Sequence, residues 1–150
     1  MSQAEEAKLN EVAITFADAF SSFSVDNMKA AKEFYGEILG LNVVEEGPAL
    51  GIKFETGSKV FLYPKDDHES ATFTVLNLKV SDIDAAVDDL TTRGIEFEIY
   101  GGEMQTDEKG IFRGADTGHG PNIAWFKDPA GNILSVIEQN REQSGTGKRI

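Results

Sequence analysis

Two stretches of this chain can be laid on one another. Residues 25–40, VDNMKAAKEFYGEILG, and residues 80–94, VSDIDAAVDDLTTRG, pair Val25 with Val80, Met28 with Ile83, Ala30 and Ala31 with Ala85 and Ala86, and Gly40 with Gly94 after a one-residue gap. In the first, Ala31, Phe34, Tyr35, Ile38 and Leu39 recur at the spacing of one helix face. In the second, Ile83, Ala86, Val87 and Leu90 do the same. Asp26 or Asn27 can cap the first helix, Ser81 and Asp84 have the spacing of a capping box, and Gly40 and Gly94 suit the helix ends. Strand-like stretches flank both helices: AFSSFSV and LNVVEE around the first, ATFTVLNLKV and IEFEIY around the second. Each half then closes with a hairpin, GIKFETGSKVFLYPK and NIAWFKDPAGNILSV, with Gly57 and Gly131 in equivalent turns. The predicted architecture is therefore α+β, a duplicated β-α-β-β-β unit. Neither half could bury its sheet alone, so the two must share a core.

The expected divisions are a mobile lead-in at 1–15, a first module at 16–70, a second at 71–138 and a flexible tail at 139–150. The second module is interrupted by a long loop, 101–122, in which Gly110, Gly114, Gly118 and Gly120 suit a segment that bends near a pocket. The chain has no cysteine, so disulfides and thiolate chemistry are excluded. A net charge of −12 with no Lys/Arg stripe argues against nucleic acid as a partner. No apolar run approaches the roughly 20 residues of a membrane span, and the acidic start lacks a signal-peptide pattern. A cytoplasmic address fits these features.

The motifs FYGEILGL and WFKDPAGNILSV, in order within a duplicated βαβββ chain, resemble the vicinal oxygen chelate superfamily, which includes glyoxalase I, extradiol dioxygenases and bleomycin-resistance proteins. The resemblance implies curved mixed sheets around a cup and, usually, a homodimer in which cups form between paired modules. In metal-using members it implies four His, Gln or Glu ligands, one from the first and one from the last strand of each half. By register those places fall here on Phe20, Phe61, Val75 and Ser135. Phenyl and isopropyl groups are not ligands and a neutral hydroxyl is a poor one, so no metal and no other cofactor is expected.

Strand alternation puts Phe20, Ser22, Phe61, Tyr63, Val75, Asn77, Ile133, Ser135 and Ile137 on the face that carries the family's ligands. Val25, Val60, Leu62, Leu76, Leu78, Leu134 and Val136 then face the helices. Trp125 is expected near the cup, where it could stack on a flat or cationic ligand. Asp107, Lys109, Arg113 and His119 in the long loop are candidates to close over a bound molecule. The two histidines, His68 and His119, form no ligand pair. Two functions stay open. One is a metal-independent protein that binds a small organic molecule in an apolar, aromatic cup. The other is a glyoxalase-type lyase, isomerase or dioxygenase that uses an unconventional metal site or acid-base chemistry from Tyr63, His119 or Asp107. A third possibility is a cup simply filled by its own side chains.

Overall fold

A computed structural model describes residues 14–139; the predicted lead-in and tail fall almost wholly outside these. The first half runs β1 (Ser21–Val25), α1 (Met28–Lys32, continued as a π-helix over Glu33–Ile38), β2 (Asn42–Glu46), β3 (Ala49–Lys53) and β4 (Lys59–Pro64). The second runs β5 (Thr74–Val80), α2 (Ile83–Thr92), β6 (Ile111–Arg113), a short α3 (Gly114–Thr117), β7 (Asn122–Lys127) and β8 (Ile133–Glu138), with a 3-10 turn at Gly102–Met104. The strand orders are β1-β4-β3-β2 and β5-β8-β7-β6. In each sheet the first strand pairs in parallel with the last, and the other neighbours are antiparallel. The duplicated α+β architecture is thus as the sequence predicts.

The helices form where the periodicity places them. Asn27 caps α1, its side chain accepting from the Ala30 N–H at 3.0 Å. On α2 the cap is Asp82, accepting from Ala85 at 3.1 Å, and not the predicted Ser81. Asp84 is thereby freed from a capping box and pairs elsewhere. Phe34 and Tyr35 from α1, Ile83, Val87 and Leu90 from α2, and Val25, Leu62, Leu134 and Val136 from the strands all belong to one buried cluster. The two halves therefore share a core. Leu78 is only partly buried against it.

One predicted strand is absent. IEFEIY, residues 95–100, is irregular; Glu98 alone reaches β7, its N–H donating to the Trp125 carbonyl at 2.8 Å. The edge place is taken by Ile111–Arg113 from the long loop. Ile95 and Phe97 still pack inward, so the alternation was real but served burial without a ladder.

The seam between modules is polar at its centre. The Tyr35 hydroxyl donates to Asp128 Oδ2 at 2.6 Å, and Asn132 Nδ2 donates to the Ser24 carbonyl at 2.9 Å. His68 spans the same seam: Nε2 stands 3.0 Å from the Ala130 carbonyl and Nδ1 2.6 Å from the Ser24 hydroxyl. A carbonyl only accepts, so Nε2 carries the hydrogen. Burial, reinforced by the Asp128 carboxylate, pushes the Tyr35 phenol far above its ordinary pKa, so it stays a donor.

Candidate functional site

The predicted cup residues fall into two groups, one on each sheet. On the first, Ser22 and Ser24 of β1 lie opposite Phe61 and Tyr63 of β4. Phe20, just before β1, meets Phe61 edge to face with ring centroids 4.8 Å apart. Phe20 is 66% and Tyr63 40% exposed, so this face is open. Gly51 lies beneath it for a steric reason: a Cβ there would come within 3.2 Å of the Phe61 ring and 3.0 Å of the Glu46 carboxylate. Glu46 was not among the sequence candidates, and its proximity depends on a strand pairing that the sequence does not display.

On the second sheet Trp125 of β7 stands directly opposite Ser135 of β8. Tyr100 and Phe112 flank the indole with centroid distances of 5.5 and 6.4 Å, which makes an aromatic wall. Sequence reasoning missed both rings. Tyr100 ends the stretch IEFEIY, which the sequence predicts as a strand without assigning it to the cup, and Phe112 lies in the loop that becomes β6, which offered no strand phase to count from. Ser135 is fully buried, and its hydroxyl donates to Asn77 Oδ1 across β5 and β8 at 2.6 Å. Burial, with the nearby Glu98 charge, raises the Tyr100 phenol, which therefore remains a neutral donor.

Val75 does not join this group. A bulge between Thr74 and Leu76 sets Thr74 opposite Ile133, and Val75 packs against the hydrophobic core. Strict alternation fails there because the bulge inserts one residue into the strand.

The loop candidates do not close over either face. Arg113 makes a two-pronged contact with Asp84 on α2, at 2.9 and 2.8 Å, and its Nε donates to Asp107 at 3.0 Å. Lys109 bonds Asp84 at 3.1 Å and Asp88 at 2.9 Å. Asp107 also accepts from the Lys109 and Ile111 N–H groups. These residues fasten the loop to the outer helix. Hydrogen bonds from Arg113 and then Lys109 hold the Asp84 carboxyl far below its usual range. For Asp107, burial alone would raise the pKa, but the Ile111 and Lys109 N–H bonds and Arg113 outweigh it and the net shift is downward. Both acids are spent as structural anions. His119 is exposed, and its ring Nδ1 stands 2.9 Å from the Thr117 hydroxyl.

The four places that the resemblance assigns to metal ligands offer a poor set here. Phe20 and Phe61 present rings, Val75 is turned to the core, and the Ser135 hydroxyl is committed to Asn77. Among the described residues no three His, Asp or Glu side chains gather as a metal would require. These residues do not fit a divalent cation.

Two depressions of about 750 and 740 Å³ lie away from both faces. The first runs between α2 and residues 95–109; the second follows β5 between the modules, and of the predicted cup residues only Asn77 lines either. Neither depression covers the aromatic rings, and Phe20 and Tyr63 remain exposed.

The family model of the Glyoxalase/Bleomycin resistance protein/Dioxygenase superfamily matches residues 15–136. This chain belongs to that superfamily. Solved structures of the same fold include TnmS3, an antibiotic binding protein from Streptomyces sp. CB03234, at 20% identity and TM-score 0.61, over 85% of this chain and 100% of that one. A glyoxalase family protein from Enterococcus faecalis matches at 23% identity and TM-score 0.58, over 83% and 100%. Oxidase ChaP-H2 matches at 20% identity and TM-score 0.57, over 84% and 96%. At these identities the likeness to these structures is one of fold, and a superfamily whose members include both a binder and an oxidase does not fix the chemistry. No curated protein matches the chain. Among the described residues no helix is long and apolar enough to cross a membrane.

Proposed function

We propose that this protein binds a small organic molecule against the aromatic concave faces of its sheets, without the metal centre of its metal-using relatives, and that it does so as a cytoplasmic homodimer. The observation that carries the reading is the second sheet's wall. Tyr100 and Trp125, half-buried and backed by the buried Phe112, offer ring surface beside an Asn77–Ser135 pair whose exposed amide can fix a ligand's polar group. The open faces support a partner copy as the roof. The antibiotic-binding relative supports a ligand of drug-like size.

The test is a thermal-shift screen of small organic compounds. A ligand at 100 times its Kd adds about 2.7 kcal/mol to stability. Trp125→Ala should abolish the shift of any hit while the circular dichroism spectrum is kept. Exhaustive chelation should leave both melting temperature and ligand response unchanged. Stoichiometric zinc, nickel, iron or manganese in purified protein would overturn the reading.

A catalytic use of the same cup has one residue in its favour. Of the three acid-base candidates, Asp107 is tied to Arg113 and His119 lies in an exposed loop, which leaves Tyr63 on the open face of the first sheet. Mass spectrometry of the compound released after incubation separates the two. An unchanged mass supports binding alone, and a change lost in Tyr63→Phe supports catalysis.

A further inference from the structure

Four residues of the second half stand in one row across the strands. Asn77 of β5 lies opposite Ser135 of β8, and Ser135 lies opposite Trp125 of β7. Beyond Trp125 the row continues to Glu98, whose N–H donates to the Trp125 carbonyl at 2.8 Å. The neighbours of Glu98 fix the way it points. Ile95 and Phe97 turn into the core, where Phe97 meets the Phe126 ring at 5.5 Å. Glu98 and Tyr100 therefore take the opposite face, the one on which Tyr100 meets Trp125. Burial and then the Glu98 charge raise the Tyr100 phenol, which agrees with a carboxylate close to that ring.

The two ends of the row are chemically opposite. At one end Ser135 donates to Asn77 Oδ1, which leaves Nδ2 of the exposed amide, a donor only, for a ligand. At the other end Glu98 is half-buried. Among the described residues no lysine, arginine or histidine forms an ion pair with it, Lys127 at the end of β7 included. The half-buried Asp84 and Asp107, by contrast, are both bound to Arg113. A half-buried carboxylate beside indole and phenol rings favours a cation, because the charge and the ring faces both attract it. Three strand spacings separate the ends, about 14 Å along the backbone row.

We infer that the molecule taken up by this wall is a flat aromatic amine of two or three rings. Its ring plane lies on Trp125 and Tyr100, its protonated nitrogen meets Glu98, and a carbonyl at its far end accepts from the Asn77 amide. It rests on the binding reading above and names the ligand's class and orientation. An aromatic acid of the same size would set its carboxylate against Glu98 or, turned round, leave Glu98 without a counter-charge. The net charge of −12 draws cations and repels anions over a longer range. The first sheet repeats the pairing of acid and ring at Glu46 and Phe61, both of which a Cβ at Gly51 would crowd.

Trp125 is the single tryptophan, so one indole N–H resonance in a nitrogen–proton NMR spectrum of the full chain reports contact with it directly. The probe is a fluorene with an acetyl group on one outer ring and an aminomethyl group on the other. Three analogues accompany it: hydroxymethyl or carboxylate in place of the amine, and ethyl in place of the acetyl. The amine should shift the indole signal saturably and bind about tenfold more tightly than the hydroxymethyl analogue, as a charge-assisted hydrogen bond outranks a neutral one. The carboxylate should bind most weakly. Glu98→Gln should erase the amine's advantage without changing the affinity of the hydroxymethyl analogue. Asn77→Leu should erase the preference for acetyl over ethyl. Equal binding of all four compounds, or an amine preference that survives Glu98→Gln, would overturn the ligand class and leave an aromatic binding face standing. No indole shift with any of the four would also overturn the ligand class, and the binding reading falls with it only if the thermal-shift screen finds no hit that depends on Trp125.

Discussion

Tyr35 and Asp128 lie 93 positions apart, yet their side chains meet at 2.6 Å in the seam between modules. Asp128 is 5% exposed and also accepts from the Ala130 and Asn132 N–H groups and from Asn132 Nδ2. Removing the phenol leaves a buried carboxylate short of one donor, and such losses cost about 1–3 kcal/mol. Tyr35→Phe should lower the urea midpoint accordingly with an unchanged denaturant slope, as equilibrium unfolding would measure. This bond also gives physical content to the motifs FYGEILGL and DPAGN, which the sequence shows as patterns without a reason for their coexistence. Ser135 is the opposite case. Its place on the sheet was legible by counting, whereas the partner that takes its hydroxyl, Asn77, becomes visible only once β5 and β8 lie side by side.

The one-residue gap between the two repeats has a structural counterpart in α1. Glu33–Ile38 is a π-helix, with the Leu39 N–H reaching back five residues to the Phe34 carbonyl at 2.9 Å. A π-turn takes up one extra residue without breaking the helix, so α1 can be a residue longer than α2 and still deliver Gly40 to the turn. Helix periodicity was therefore readable, and the insertion was readable only as a misfit. The long loop went the other way, since its charges suggested a lid and its structure is a clasp on α2. Gly114 shows how closely the loop is folded: a Cβ there would lie 2.7 Å from the Pro121 carbonyl. The clasp predicts a pH dependence. Asp84 and Asp107 have folded-state pKa values below their unfolded ones, so their contribution is complete above about pH 4 and fades as the pH falls through the depressed values. Arg113→Met should lower the melting temperature by about 2–4 °C at pH 7, equivalent to about 1 kcal/mol after allowing for the solvent exposure of these groups. Scanning calorimetry should find that gap closing below about pH 4.

At the scale of the molecule the repeat made the fold legible, because a duplicated βαβββ pattern leaves few ways to bury two sheets. The site was less so. Strand alternation named most of its residues, but the bulge removed Val75, Tyr100 sat in a predicted strand that forms no ladder, and Phe112 came from a loop without strand phase. Such a wall is assembled by contacts distant in sequence, which periodicity does not record.

The seam has one more consequence. Tyr35 and Asn132 hold the modules together through side chains, independently of the stretch from Lys65 to Phe73 that connects them along the backbone, and His68 within that stretch adds a further tie. That stretch is exposed over Glu69 and Ser70. Severing it there should yield two fragments that co-purify and regain the native spectrum when mixed, with Tyr35→Phe weakening their association. Covalent continuity would then be a convenience of synthesis, and each fragment a ready half of a split reporter.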